Sequence, residues 1–224
     1  MNWNPTWICP ANDLGDPAAV FGTSFVFEKK ITLANLTITA MGVYEARLNG
    51  RRVGQFVMAP GWTSYHKRLQ YQKYDITDLL TNDKNEVEVT VGKGWYRSPL
   101  PGWLGCAYQD ELRSRPCGLA AQITLTFEDG SSKILSTDES WKVSDGPVRF
   151  SEIYDGEIYD SAKTPLLDQP VTIFDGPTDT LILQQGEEVC EQERLAVKKV
   201  FVTPNGETVL DFGQNMTGYV ELFV

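Results

Sequence analysis

Four carboxylates crowd one short stretch of this 224-residue chain: Glu152, Asp155, Glu157 and Asp160. Paired carboxylates are what cleavage of a glycosidic bond requires, one to protonate the leaving oxygen and one to activate water. Here they alternate along an expected strand and its turn at Asp155-Gly156, a pattern that sends such side chains to solvent. Nothing in the sequence supplies the burial that would raise one of their pKa values. Asp155 and Glu157 are therefore candidates for contact with a carbohydrate or a neighbouring domain, not for catalysis. Nucleophilic chemistry has less to work with. No G-x-S-x-G elbow is present, and His66, the one histidine, lies between Tyr65 and Lys67 in an expected loop. Gly92-Lys93-Gly94 lacks the phosphate-loop spacing and no long helix is expected after it. The aromatic residues are the stronger case. Trp95 and Tyr96 at a strand end, and Trp103 in the loop that follows, could stack on the C–H face of a sugar, though the same rings also suit a core or a domain interface. No catalytic residue is assigned.

Composition narrows the classes. The net charge is −10, so a phosphate-backbone partner is excluded for want of a basic face. Arg47, Arg51, Arg52, Lys67 and Arg68 form a locally basic run that reads as solvated strand edges. Cysteines 9, 106, 117 and 190 show no C-x-x-C, and with a single histidine no metal or other cofactor is expected. They read as reduced thiols, with a Cys106 to Cys117 bridge left open. The first residues carry no signal-peptide pattern and no apolar run is long enough to span a bilayer, so a soluble, cytoplasmic chain is expected.

The elements that must position these residues are strands. Residues 34–40 and 87–91 alternate apolar and polar side chains, and residues 119–127 give the longest such run. Asn49-Gly50 and Asp129-Gly130 are hairpin turns between alternating segments, with residues 53–58 and 132–135 expected to return. Asp75 opens at most one helical turn. Residues 1–17 read as an irregular lead-in around Trp3 and Trp7, and residues 62–74 as a crossing segment. Residues 98–117 form a loop long enough to suggest a functional or packing role. The pattern is all-β: an antiparallel β-sandwich of jelly-roll type.

Composition shifts at Lys163. Residues 1–163 are expected to form the sandwich, and residues 164–224 a linker followed by the first strands of a second β-domain, with short strands over 180–183, 197–202, 208–212 and 219–224. About sixty residues bury too little surface to stand as a robust domain.

Taken together, GVYEARLNGRRVG, APGWTSYHKRLQYQKYDITDLL, GKGWYR, TDESWKVSDGPV, SEIYDGEIYD and DFGQNMTGYVEL resemble, in order, the N-terminal part of bacterial α-L-rhamnosidases. The resemblance implies an N-terminal β-sandwich up to about residue 163, and then entry into a concanavalin-like domain. Whole enzymes of that family remove terminal α-L-rhamnose with inversion, using carboxylates of a later (α/α)6 barrel absent from these residues. The resemblance thus implies a hydrolase parent and an accessory region whose partner is the downstream catalytic domain. An autonomous module for rhamnosylated carbohydrate, built on Trp95, Tyr96 and Trp103, is the alternative.

Overall fold

The computed structural model describes residues 3–98, 110–111, 114–221 and 223. In chain order the strands are β1 (Trp7–Pro10), β2 (Ala19–Phe25), β3 (Ile31–Met41), β4 (Val43–Leu48), β5 (Arg51–Arg52), β6 (Leu69–Asp75) and β7 (Asn85–Gly92). One helical turn, α1 (Gly94–Arg97), precedes β8 (Gly118–Phe127), β9 (Ser132–Ser136), β10 (Lys142–Asp145), β11 (Val148–Glu152), β12 (Gly156–Tyr159), β13 (Gln169–Phe174) and β14 (Leu181–Leu183). The chain divides into two compact units, one ending at Val189 and the other spanning Cys190–Val224.

In the first unit the strands run in the order β14-β6-β3-β8-β1-β13-β10-β2-β7-β4-β5, with β9 added beside β8. The ladders are antiparallel except that of β14 with β6. β13 pairs along β1 from Trp7↔Phe174 to Pro10↔Val171, and its first two residues pair with β10. It thereby joins β14-β6-β3-β8-β1 to β10-β2-β7-β4-β5, so the sheet curls into the expected β-sandwich. Alternation fills it. Leu36, Ile38, Leu119, Ile123 and Leu125 on one side meet Phe21, Leu48, Val87, Val89 and Val143 on the other in one buried cluster. One residue along from Ile8, Ala40 and Leu119 of that cluster, Trp7, Met41 and Ala120 join Tyr65, Leu69 and Tyr96 in a second cluster. A strand's neighbours face opposite ways, so β1, β3 and β8 are covered on both faces.

The Asn49-Gly50 turn forms as the sequence predicts, with φ 53° and 75° and the register Leu48↔Arg51. The expected return strand over residues 53–58 does not. Only Arg51–Arg52 pairs with β4, because Gly54 takes φ +69° and turns the chain aside before the isolated bridge Tyr44↔Ala59. Thr77–Leu79 is a single 3-10 turn, opened by Asp75, whose Oδ1 accepts from the Thr77 N–H and Oγ1.

The chain leaves the first unit later than its composition changes. Beyond Lys163, β13 lies inside the sheet and β14 at its end. Trp7 Nε1 donates to the Pro177 carbonyl at 2.9 Å, and Gln184 Oε1 accepts from buried Gln72 at 2.9 Å. The second unit holds a hairpin, β15 (Lys199–Val202) with β16 (Thr208–Asp211), turning at Gly206. The strand expected over residues 219–224 is not formed by the described residues there.

Candidate functional site

Successive residues around α1 point to different surroundings, as about 100° of rotation per residue requires. Lys93, just before the turn, reaches into a cleft. Its Nζ donates to Glu152 Oε1 at 2.9 Å and to Asp16 Oδ1 at 3.0 Å, and lies 5.5 Å from the Phe150 ring centre. Trp95 is half-buried and stacks on Trp62, with ring centres 6.0 Å apart and planes 6° from parallel. Tyr96 is only 2 % exposed and meets Tyr65 edge-on at 5.2 Å. Gly94 permits this turn, with φ +53° and no room for a β-carbon beside Val43.

The aromatic candidates therefore separate. Tyr96 belongs to the second buried cluster, so its ring faces are taken and it offers no sugar platform. Trp95 is available only through its stack with Trp62, which is 52 % exposed. Trp103 lies outside the described residues, as does Cys106. Cys117 is a free thiol, raised in pKa by burial, with the nearby Arg97 Nη1 at 3.8 Å working in the opposite direction.

β11 and β12 make a two-stranded ribbon with the register Ser151↔Glu157 and Glu152↔Gly156. Asp155 at its tip and Glu157 are exposed, as their alternation predicts. Glu152 is not. Its side chain is 6 % exposed, one oxygen taken by Lys93 and the other, Oε2, buried with no hydrogen-bond partner. Burial works against the Lys93 charge, but the hydrogen bonds from Glu152 and Asp16 outweigh it and lift its pKa above the ordinary 10.5. These residues line two adjoining clefts. The inner one, of about 280 Å³, runs from Pro10 and Asp13 to Cys117 and Ser151, and the outer, of about 540 Å³, is bounded by Asp16, Lys93, Arg97, Asp110, Glu152 and Asp155. Sequence reasoning missed the Asp16–Lys93–Glu152 group. Gly92-Lys93-Gly94 was its only signal, and 59 residues separate Lys93 from Glu152. Among the described residues no group of three or more His, Cys, Asp or Glu could hold a metal ion, and no helix is long and apolar enough to cross a membrane.

With this geometry in place, known proteins give it a context. The family model for the alpha-L-rhamnosidase N-terminal domain matches residues 29–193. An alpha-L-rhamnosidase of Streptomyces avermitilis is 36 % identical over 207 residues, 88 % of this chain and 20 % of that protein. One from Formosa agariphila is 32 % identical over 222 residues, 94 % of this chain and 23 % of the relative. Among solved structures, native α-L-rhamnosidase from Aspergillus terreus superposes with a TM-score of 0.86 at 36 % identity, covering 94 % of this chain and 26 % of that one. The S. avermitilis enzyme complexed with L-rhamnose gives 0.80 at 32 % identity, over 89 % of this chain and 20 % of its own. The chain thus spans a fifth to a quarter of the length of these relatives, and by match and fold it belongs to the alpha-L-rhamnosidase N-terminal domain family.

Proposed function

We propose that these residues form a non-catalytic accessory region of an α-L-rhamnosidase, packing against or shaping the part of a longer polypeptide that carries the chemistry. The observation that carries this reading is coverage: nearly all of the chain aligns with rhamnosidases, yet only 20–26 % of each is accounted for. The ion pairs of the first unit fit such a role, since Lys93 is shared between Asp16 and Glu152 and is not poised to transfer a proton. An assay of residues 1–224 with an aryl α-L-rhamnoside tests it, and no turnover is expected. Turnover that survives removal of contaminating hydrolases ends the proposal.

A second reading, carbohydrate binding through loop aromatics, is favoured by the Trp62–Trp95 stack, whose outer ring is 52 % exposed. Flat exposed indoles offer an apolar face and an N–H for hydroxyls. Titration calorimetry with L-rhamnose and rhamnosylated oligosaccharides, with and without calcium, decides it. Heat that disappears in Trp62→Ala supports binding, and no heat removes it.

A further inference from the structure

Two Asn-Gly pairs occur in the sequence, Asn49-Gly50 and Asn205-Gly206, and each stands at a hairpin turn. In such a pair the asparagine Cγ can reach the next backbone nitrogen, and glycine has no side chain to obstruct the approach. The structure separates the two. At Asn49 every polar atom of the amide is engaged: Nδ2 donates to the Leu79 carbonyl at 2.9 Å and to Asn85 Oδ1 at 2.8 Å, and Oδ1 accepts from the Glu86 N–H at 2.9 Å. Turning its Cγ toward the Gly50 nitrogen breaks all three bonds, against an Asn85 that is fully buried. Asn205 has no such restraint. It is exposed, its side chain makes no hydrogen bond among the described residues, and open space lies where a β-carbon of Gly206 would stand. One bond stands in the way, from the Gly206 N–H to the Thr203 carbonyl at 2.9 Å. It is weakly supported. Among the described residues β15 and β16 pair only with each other, and Val200, Val202 and Leu210 on them are exposed. A two-stranded hairpin burying so little is marginal in water, so it opens at small cost.

We propose that Asn205 is a site of spontaneous deamidation in this chain, and that Asn49, the same dipeptide, is protected by the sandwich. Base in the solvent takes the Gly206 N–H proton and the nitrogen attacks Asn205 Cγ. The N–Cγ bond forms as the Cγ–Nδ2 bond breaks, and Nδ2 leaves as ammonia. Water then opens the cyclic imide. Cleavage at Cγ gives aspartate, and cleavage at the backbone carbonyl gives isoaspartate, so the sum is amide plus water to carboxylic acid plus ammonia, with no electrons exchanged. Either product adds a negative charge to a turn that already carries Glu207. Isoaspartate also lengthens the backbone by one carbon between the Thr203 carbonyl and the Gly206 N–H and so breaks the turn that joins β15 to β16. The step needs no partner and no activity, so its outcome is independent of the accessory and carbohydrate readings above.

The test ages the purified chain, residues 1–224, in mildly alkaline buffer with and without urea, and maps its peptides by fragment-ion mass spectrometry. Without urea, the mass increment of one amide-to-acid exchange should appear at Asn205, with an isoaspartyl form that an isoaspartyl methyltransferase labels. The peptide of residues 48–51 should stay unchanged. In urea Asn49 should convert more than about tenfold faster than in its absence, whereas the Asn205 rate should move by less than about threefold, because only Asn49 waits on opening of the sandwich. Asn205→Gln, whose longer side chain requires a larger and slower-closing ring, should remove the signal seen without urea. Asn205 intact in the folded chain, Asn49 converting alongside it there, or a signal that persists in Asn205→Gln would overturn the proposal.

Discussion

Asn49 and Asn85 hold each other across the first hairpin: the Asn49 Nδ2 donates to Asn85 Oδ1 at 2.8 Å. Asn49 stands in the left-handed region at φ 53° and its Oδ1 accepts from the Glu86 N–H. Asn85 is fully buried, and its amide also donates to the carbonyls of Thr81 and Asp83 while its Oδ1 accepts from the Thr81 N–H. One side chain thus ties the β4–β5 turn to the loop entering β7. Asn85→Ala leaves several of these groups unsatisfied and should cost about 2–3 kcal/mol. Urea unfolding followed by circular dichroism measures it, and an unchanged midpoint removes the network's importance.

Gly176 passes so close to Trp7 that a β-carbon there would lie 2.4 Å from the indole Cγ. The ring is buried and cannot swing away cheaply, so Gly176→Ala should destabilise by about 1–3 kcal/mol. Trp7 fluorescence should change with it. If the substitution is silent, the segment after β13 does not pack on the sandwich.

Truncation gives a coarser test of the same region. A chain ending at residue 163 lacks β13, which sits between β1 and β10, and should fail to give a dispersed amide spectrum. One ending at residue 189 should fold. A well-folded 1–163 fragment would restore the boundary expected from composition.

Asp145 accepts from Arg149 Nη1 at 2.6 Å and pairs with Lys163 at 3.2 Å. The Arg149 hydrogen bond chiefly, opposed by burial and aided by Lys163, holds its pKa below the ordinary 3.8. The resulting stability is present above 3.8 and is lost as pH falls through the lower folded-state value. Asp145→Asn should flatten part of this acid limb, with Asp75 and Asp129, also lowered, supplying the remainder. Urea midpoints at descending pH should show the variant losing less stability than the parent chain.

Buried Tyr44 donates to Gln72 Oε1 at 2.7 Å, and Gln72 in turn donates to Gln184. Burial, then Tyr74 and Glu188, pushes the Tyr44 phenol well above its ordinary 10.0. The associated stability is intact below pH 10 and lost as pH rises, because only the unfolded chain releases the proton readily. Tyr44→Phe should cost about 1–2 kcal/mol at neutral pH. In the parent, one phenolate signal should appear only as the chain unfolds in alkali.

Much of this architecture was legible from side-chain alternation. β7 and the second half of β8 bury every second residue, β3 alternates apolar and polar side chains even though residues 36–41 are all buried, and Asn49-Gly50 has few other uses. The strands that escaped notice lack that signature. β1 buries Trp7, Ile8 and Cys9 in succession because both its faces are covered, and β13 carries Pro170, which argues against an interior strand. At the site, alternation placed Asp155 and Glu157 correctly on the surface but would also have placed Glu152 there. Its burial depends on Lys93 arriving from a distant part of the chain, which no local pattern encodes. Trp95 and Tyr96 were found by type, but their directions were fixed only by the turn that Gly94 allows.

β14 has a consequence for solubility. It is three residues long and caps one end of the sheet, occupying the ladder positions of Leu69, Gln70 and Tyr71 on β6. Without it, a longer row of unpaired peptide groups beside the apolar Leu69 and Tyr71 would offer itself to another molecule, the usual start of strand-to-strand aggregation. A short parallel cover leaves too little ladder to template a second copy. The strand that the sequence assigns to a second β-domain thus covers an edge of the first unit's own sheet.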